Sequence, residues 1–536
     1  MIFIKKFFLI LFTVFSCFTV CLGQMAQSAP LVFNIKNYGA RGIGISIDTK
    51  AINDAIADCV KNGGGTVYVP AGTFVTGSFQ LFSNINLYLD AGAVLLASKD
   101  TSAYFYEKDY GFDRIGAGER TGIVFAQDAQ NVSITGHGTI DGNGLSFMYK
   151  DSLQYGMDFD KKYTRQGDKY MDLKYGRKDG PILWKGDYSN RPGIVVIFSS
   201  CRKVSVSGIT IKDAGNWSMA FLRCDDAKVQ GISIKNNMDI PNSDGIDAYN
   251  SKNLIISDCD IRAGDDAIAI SASANITVNN CNLTSRSSGI RVGYNVLSDD
   301  SSGNLLFNNI RIYGSNRGIG IFQRMKGNIE NIIFSNIIID TRLHSGQWWG
   351  HGEPIHISAL PGIGSKEVGE IKNVRFVNII AKGEEGIVLY GSKESILKNI
   401  SFDNVQLAIT KGVLTNSYGG NFDLRPANDI SLGIFKHDIP ALFAKNIDGL
   451  FIKDFQVAWE EKLPGFFSNA IECEDFRQLN IDGFRGNAAF INKPVISLIN
   501  GKDAYISNAK AINTGSHLLF KENVSGLEIP GKGIWE

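Results

Sequence analysis

Apolar and polar residues alternate in eight short segments that break at a small or polar pair: VSVSGITI (204–211), VQGISI (229–234), LIISDCDI (254–261), ITVNNCNL (276–283), LLFNNIRI (305–312), IIFSNIII (332–339), VRFVNIIA (374–381) and ISFDNVQL (400–407). A period of two places every second side chain on one face, so each segment predicts a short strand. Asn280, Asn309, Asn336, Asn378 and Asn404 fall at equivalent breaks. Asparagine tolerates turn conformations, and stacked amides can hydrogen-bond along a ladder. Most intervals between segments run from 22 to 29 residues. One strand-bearing unit repeated at that period predicts a parallel β-helix whose coils stack about 4.8 Å apart.

An open solenoid needs its ends covered. Ile52, Ala55, Ile56 and Cys59 fall at helical spacing after Asp48 and Thr49, a candidate N-cap, and the run stops at Gly63-Gly64-Gly65. This predicts a short amphipathic helix capping the first coil. TVYVPAG (66–72), INLYLDAGAVL (85–95) and VSITGHGTIDGNG (132–144) continue the strand pattern. The repeats blur after Asn416, but LFIKDFQVAW and LNIDGF predict further coils toward the C-terminus. With 58 Gly against 12 Pro, the composition suits tight turns joining short strands rather than a helical bundle. We expect an all-β solenoid forming a single domain over residues 24–536.

Charge and the N-terminus narrow the function class. The 54 basic and 54 acidic residues balance, which argues against capture of nucleic acid or an anionic membrane. Lys5 and Lys6 precede an uncharged run from Phe7 to Val20, with small residues such as Gly23 after it. This is the pattern of a secretory signal over residues 1–23. The run is short for spanning a bilayer and no later stretch is long enough to do so, so the mature chain is expected to be secreted or periplasmic without membrane insertion. Cys17 and Cys21 raise lipoprotein anchoring as an alternative, against which the residues before them make a poor lipidation box. An oxidising compartment permits disulfides among Cys59, Cys201, Cys224, Cys259, Cys281 and Cys473. The 23- and 22-residue intervals of Cys201/Cys224 and Cys259/Cys281 equally fit free thiols stacked on successive coils.

Candidate chemistry concentrates in PNSDGIDAYNSKNLIISDCDIRAGDDAIAIS. Asp244 is followed 21 positions later by the adjacent Asp265 and Asp266, a spacing of about one coil, so three carboxylates meet in space. Repulsion among them should raise one pKa and keep a proton near neutral pH, as acid/base chemistry requires. Adjacent strand residues face opposite ways, so Asp265 and Asp266 share a cleft only where the backbone is irregular, which Gly264 permits. Asn242 is a candidate support for these acids.

GGGTVYVPAG, GTIDGNG, Arg191-Pro192, Asn216-Trp217, NSDG and GDD occur here in one order. Over roughly residues 31 to 410 this set resembles glycoside hydrolase family 28, the polygalacturonase family of right-handed parallel β-helices. The resemblance implies hydrolysis of glycosidic bonds, usually of α-linked galacturonic acid in pectin, with inversion. It further implies that Asp265 protonates the leaving oxygen while Asp244 and Asp266 hold and activate water. Adjacent coils can supply the separation of roughly 6.5 to 9.5 Å that an inverting acid and base need.

The sequence departs from that family at its cationic positions. Where the family carries Gly-His-Gly one coil after the paired acids, Ser288 replaces the histidine in Ser287-Ser288-Gly289. Gly136-His137-Gly138 lies far upstream and reads as a turn. The family's Arg-Ile-Lys falls on GIGIF (318–322), which puts Gly320 and Phe322 at the Arg and Lys positions. Arg324 and Lys326, slightly later, or Arg291, are the candidate replacements. Without them, unsubstituted polygalacturonate is expected to be a poorer substrate than a mixed or neutral chain.

Two insertions are candidate cleft walls. The 42-residue interval from Asn336 to Asn378 carries Trp348, Trp349, His351 and Glu353 in SGQWWGHGEPIHIS. Paired tryptophans in a polar loop suit stacking on sugar faces, with His351 or Glu353 in reach of a neighbouring cleft. The histidine spacing fits no metal motif, so neither a metal nor another cofactor is expected. The second insertion, from Asn143 to Arg191, is rich in Tyr, Lys, Arg and Asp. Together these features predict a monomeric, secreted glycoside hydrolase acting on a plant or algal polysaccharide. A lyase on the same fold, or a catalytically silent carbohydrate-binding β-helix, is the alternative.

Overall fold

The alternating segments are strands, and each pairs in parallel with its counterpart one coil away. Ile276, Val278 and Leu283 lie opposite Leu305, Phe307 and Ile312, which lie opposite Ile332, Phe334 and Ile339. The register continues to Val374 and Phe376, then to Ile400 and Phe402. Among the described residues, repetition of this pairing gives one 36-stranded sheet that winds as a parallel β-helix. The structure, a computed structural model, describes residues 31–105, 122–153, 182–184, 193–294, 300–344, 349–415, 420–424, 433–513 and 515–530. The signal-like segment, Cys17, Cys21, Trp348 and most of the 143–191 insertion lie outside the described residues.

Identical side chains recur at identical depth, and they stack. Phe307, Phe334, Phe376 and Phe402 are buried with ring centroids 4.6, 5.0 and 4.9 Å apart and nearly parallel planes. The spacing is that of the coils themselves. Cys59, Cys201, Cys224, Cys259, Cys281 and Cys473 are all buried free thiols, which decides between the two readings of the cysteines.

The asparagine ladder is present, and a second one accompanies it. Asn280, Asn309, Asn336, Asn378 and Asn404 all have φ between 53° and 56°, the left-handed region that asparagine tolerates. Asn404 donates to Asn378 and Asn378 to Asn336, at 2.9 and 3.0 Å, while Asn336 crosses to Asn308. At the opposite end of each strand, Asn399, Asn373, Asn331, Asn304, Asn275 and Asn253 form a continuous chain of amide bonds.

The predicted helix spans Thr49–Lys61 and buries Ala51, Ile52, Ala55, Ile56 and Cys59. Its N-terminus differs from the expected cap: the Asp48 carboxylate makes no capping bond and accepts instead from the backbone of Arg41 and Gly42. At the other end, the blurred repeats resolve into Leu442–Trp459, Ile471–Asp482, Ile496–Ser507 and Leu519–Glu528, paired in that order.

Candidate active site

Every acid of the cluster sits at the same corner of its coil. Met219, Ile246, Ile268, Ile290 and Ile319 face one another in adjacent strands. Two residues before each of them stand Trp217, Asp244, Asp266, Ser288 and Arg317. The corner therefore carries a column of functional groups spaced by the coil repeat. Asp265 joins the column because the chain bends between strands Asp260–Ala263 and Ile268–Ser271. Gly264 is required there, since a Cβ would lie 2.3 Å from the Ile240 carbonyl oxygen and 2.5 Å from Ser243 Oγ.

The column opens into a cavity of about 160 Å³. Asn242, Asp244, Asp265, Asp266, Ser287, Ser288, Arg291 and Arg317 line it, with Trp217, Tyr294, Phe322 and Trp349 as aromatic walls. Asp244, Asp265 and Asp266 each offer an oxygen within 4.8 Å of the others. That is closer than the span expected of a two-carboxylate inverting pair.

The neighbours of the three acids differ. Asp266 accepts from the Ser288 N–H at 3.0 Å and from Arg291 Nε, so both of its oxygens face donors. Asn242 Nδ2 donates to Asp265 at 3.2 Å. Asp244 Oδ1 is buried without a hydrogen-bond partner among the described residues. Burial, followed by Asp247, Asp265 and Asp266, raises the Asp244 carboxyl well above its ordinary range. Asp247, a fourth buried acid that the sequence did not mark, lies one column over and is raised chiefly by burial too.

Arg291 belongs to that outer column, where Asp247, Ala269, Arg291, Gly320 and His356 succeed one another. The small Ala269 leaves room for its guanidinium to reach back to Asp247 at 3.8 Å. With Nη1 also donating to Ser271 Oγ and the Gly293 carbonyl, Arg291 is a partner of the acids, not a free cation for substrate.

The structure corrects the other cationic candidates. Arg324 is buried outside the cavity, where Nη1 donates to the carbonyls of Gln323 and Ser358, and burial lowers its pKa to about 9. Lys326 is exposed and pairs with Glu367 at 3.3 Å on the surface. The expected gap at GIGIF is filled by Arg317, which begins the strand Arg317–Gln323. A Cβ at Gly320 would come within 2.5 Å of the Phe322 ring and 3.1 Å of Arg317 Cδ, so the missing side chain is what admits both. The Arg317 guanidinium lies 4.7 Å from the Phe322 ring centre.

Glu353 and His351 stand behind this arginine and do not line the cavity. Glu353 Oε1 accepts from Arg317 Nε at 2.6 Å, and His356 Nδ1 lies 3.1 Å from the same oxygen. Burial would raise the Glu353 carboxyl, but Arg317 and His356 more than offset it and bring it to about 2. His351 is fully buried against the Asn421 carbonyl. Trp349 reaches the cavity as expected. Counting back two residues from each aligned apolar residue, Met219 and the four isoleucines, would have found Trp217 and Arg317 in the sequence; Tyr294 and Phe322 carry no such signal.

The sequence profile of Glycosyl hydrolases family 28 matches residues 59–418. The chain belongs to this family. A probable polygalacturonase of Vitis vinifera is 33% identical over 253 residues, 46% of this chain and 44% of that protein. An exo-poly-alpha-D-galacturonosidase of Dickeya chrysanthemi is 29% identical over 260 residues, 46% of this chain and 42% of its own length. The match thus spans less than half of each of these curated relatives. Among solved structures, the family 28 exopolygalacturonase of Yersinia enterocolitica superposes with a TM-score of 0.58 at 18% identity, covering 94% of this chain and 79% of that one. A hyperthermoactive exopolygalacturonase from Thermotoga maritima gives 0.54 at 22% identity, covering 72% and 88%. Membership fixes the fold class as the right-handed parallel β-helix of family 28, and neither the lyase nor the silent binding module is favoured.

Proposed function

We propose that this chain is an exported hydrolase of α-linked galacturonate bonds in pectic polysaccharide, with Asp244, Asp265 and Asp266 as its catalytic residues. The observation that carries the reading is the convergence of these three carboxyls in one aromatic-walled cavity beside a fixed guanidinium. The Ser288 N–H and Arg291 each hold one oxygen of Asp266, which positions that side chain to receive the attacking water. Family correspondence makes Asp265 the acid that protonates the leaving oxygen, and the Asp244 carboxyl beside it is held well above its ordinary range by burial and its acidic neighbours. Inversion is supported by that correspondence and by the three-acid set, not by the carboxylate span. Only Nε of Arg317 is engaged among the described residues, leaving its two terminal nitrogens for the carboxylate of a galacturonate unit. This removes the reason to expect that polygalacturonate is a poor substrate.

Digestion of polygalacturonate followed by proton NMR tests the reading. The expected first product is galacturonate, or an oligomer of it, with inverted anomeric configuration. Asp265→Asn should lower kcat by about a thousandfold or more while leaving the fold intact. A retained anomer, or near-normal turnover in that variant, would overturn the assigned roles.

A further inference from the structure

A second groove, of about 520 Å³, lies on the outer face of the strands that lead into the acid corner. The column from Ile261 through Leu283, Ile312, Ile339 and Ala381 puts its first coil four steps beyond that of Asp265. At about 4.8 Å per coil, it begins roughly 20 Å from the acids. We propose that this groove is a second, non-catalytic binding site for an anionic polysaccharide of the polyuronate class. The choice of ligand rests on the substrate class inferred above.

The first ground is how the strands make the groove. Side chains two apart share a face, so the columns containing Ile380 and Lys382 run side by side. In the second column Asp340 and Lys382 pair at 3.9 Å, and the next two coils carry Ala408 and Ala458. Where the long side chains stop, a trough opens with a small apolar floor. Ile380 and Ile512 line it at its two ends, 52% and 62% exposed. An apolar floor with a few convergent polar groups is the usual make-up of a ligand site, and it suits the C–H face of a sugar ring.

The second ground is the polar wall. Ile380, Gln406, Gln456, Arg485 and Lys510 succeed one another in register, so two amides are followed by two cations at the coil repeat. All four polar side chains are exposed, and among the described residues none of them makes a hydrogen bond or ion pair. Asp340, Glu460 and Asp482, acids at the ends of neighbouring strands, are already held by Lys382, by Lys411 and by Ser507 with Asn508. Arg485 and Lys510 therefore stand as a local positive patch on a chain whose formal charge is zero.

The order of groups selects the ligand. A side-chain amide both donates and accepts, as a sugar hydroxyl does, while guanidinium and ammonium groups pair with carboxylates. A neutral glycan would leave both cations unpaired. Two cations are few for a nucleic acid, whose affinity comes from neutralising many phosphates.

The site would act by retention. A long polymer held in the groove stays with the enzyme while another stretch of it enters the cavity, which raises the effective substrate concentration there. A short oligomer cannot occupy both places and gains nothing.

The test is affinity electrophoresis of the full chain carrying Asp265→Asn and Arg317→Gln, which silences the cavity, through gels containing polygalacturonate, neutral galactan or dextran sulfate. Polygalacturonate should retard it. Arg485→Ala with Lys510→Ala should weaken that binding by about tenfold, and Gln406→Ala with Gln456→Ala by a smaller factor. Melting temperatures should not move, because all four side chains are exposed. In the otherwise unaltered enzyme, the Arg485 and Lys510 pair of substitutions should slow hydrolysis of dilute polygalacturonate and leave that of trigalacturonate unchanged. Retardation through these residues without any hydrolysis by the unaltered chain would support the groove while removing the catalytic reading. Retardation that survives both pairs of substitutions, or that is as strong in galactan or dextran sulfate, would overturn the proposal.

Discussion

Asp244, Asp265 and Asp266 compete for one small volume, and Asp244 bears the cost. Its carboxyl is raised above the ordinary 3.8 by burial first and by three acidic neighbours after it. The native protein therefore keeps a proton that the unfolded chain releases above about pH 4. Stability falls as pH climbs from there toward the raised native value, by about 1.4 kcal/mol for each tenfold difference in proton affinity. Asp244→Asn escapes that loss. Thermal melts should show the variant gaining on the wild type between about pH 4 and 7; a difference that does not change with pH would mean the carboxyl is not held up. Arg317 makes a second residue-scale case. Arg317→Gln keeps a polar group but loses the charge, and KM for polygalacturonate should rise by about tenfold or more, with a neutral galactan unaffected. Equal effects on both polymers would assign Arg317 to packing. The sequence made the acids legible because their spacing is one coil and their order is the family's. It hid Arg317 because the guanidinium arrives from upstream of Gly320, where the family motif puts its arginine, and only the coil register shows that.

At the scale of single elements, turn chemistry governs. The asparagine positions were readable because one residue type recurs at the same break of successive repeats, as a ladder requires. The second ladder was not, since Asn253, Asn275 and Asn304 stand among ordinary surface polar residues until the strand pairing aligns them. Asn378 has φ of 56° and both donates to Asn336 and accepts from Asn404. Asn378→Ala keeps a Cβ in the left-handed region without either bond and should cost about 1–2 kcal/mol. Asn378→Gly relieves the backbone alone and should recover part of that loss in chemical denaturation. Equal losses in the two variants would place the cost in the amide ladder. The helix Thr49–Lys61 teaches the converse. Its apolar face was plain from spacing, but Asp48 is drawn away by backbone N–H groups that only the tertiary fold brings near.

For the whole molecule, stability is shared between neighbouring coils, because each one touches mainly the coil before it and the coil after it. Phe376 stacks on both Phe334 and Phe402. Phe376→Ala should open a cavity between two interfaces at once and cost about 3–5 kcal/mol, measurable by urea unfolding. A loss near 1 kcal/mol would show that the coils close over the gap. The stack was implicit in the pattern, since Phe307, Phe334, Phe376 and Phe402 hold the same place in four segments. The antiparallel pair Asn421–Asp423 and Ile434–Lys436 was not, because it belongs to no repeat. The 42-residue step between Asn336 and Asn378 leaves strands Ile329–Thr341 and Ile371–Gly383 as well matched as any other pair. Lengthening a corner loop costs only about 0.6 kcal/mol per doubling. Material can thus be spliced in beside the acids at little risk to folding. In a lineage of such proteins, diet can change by exchange of corner loops while the coils are inherited unaltered.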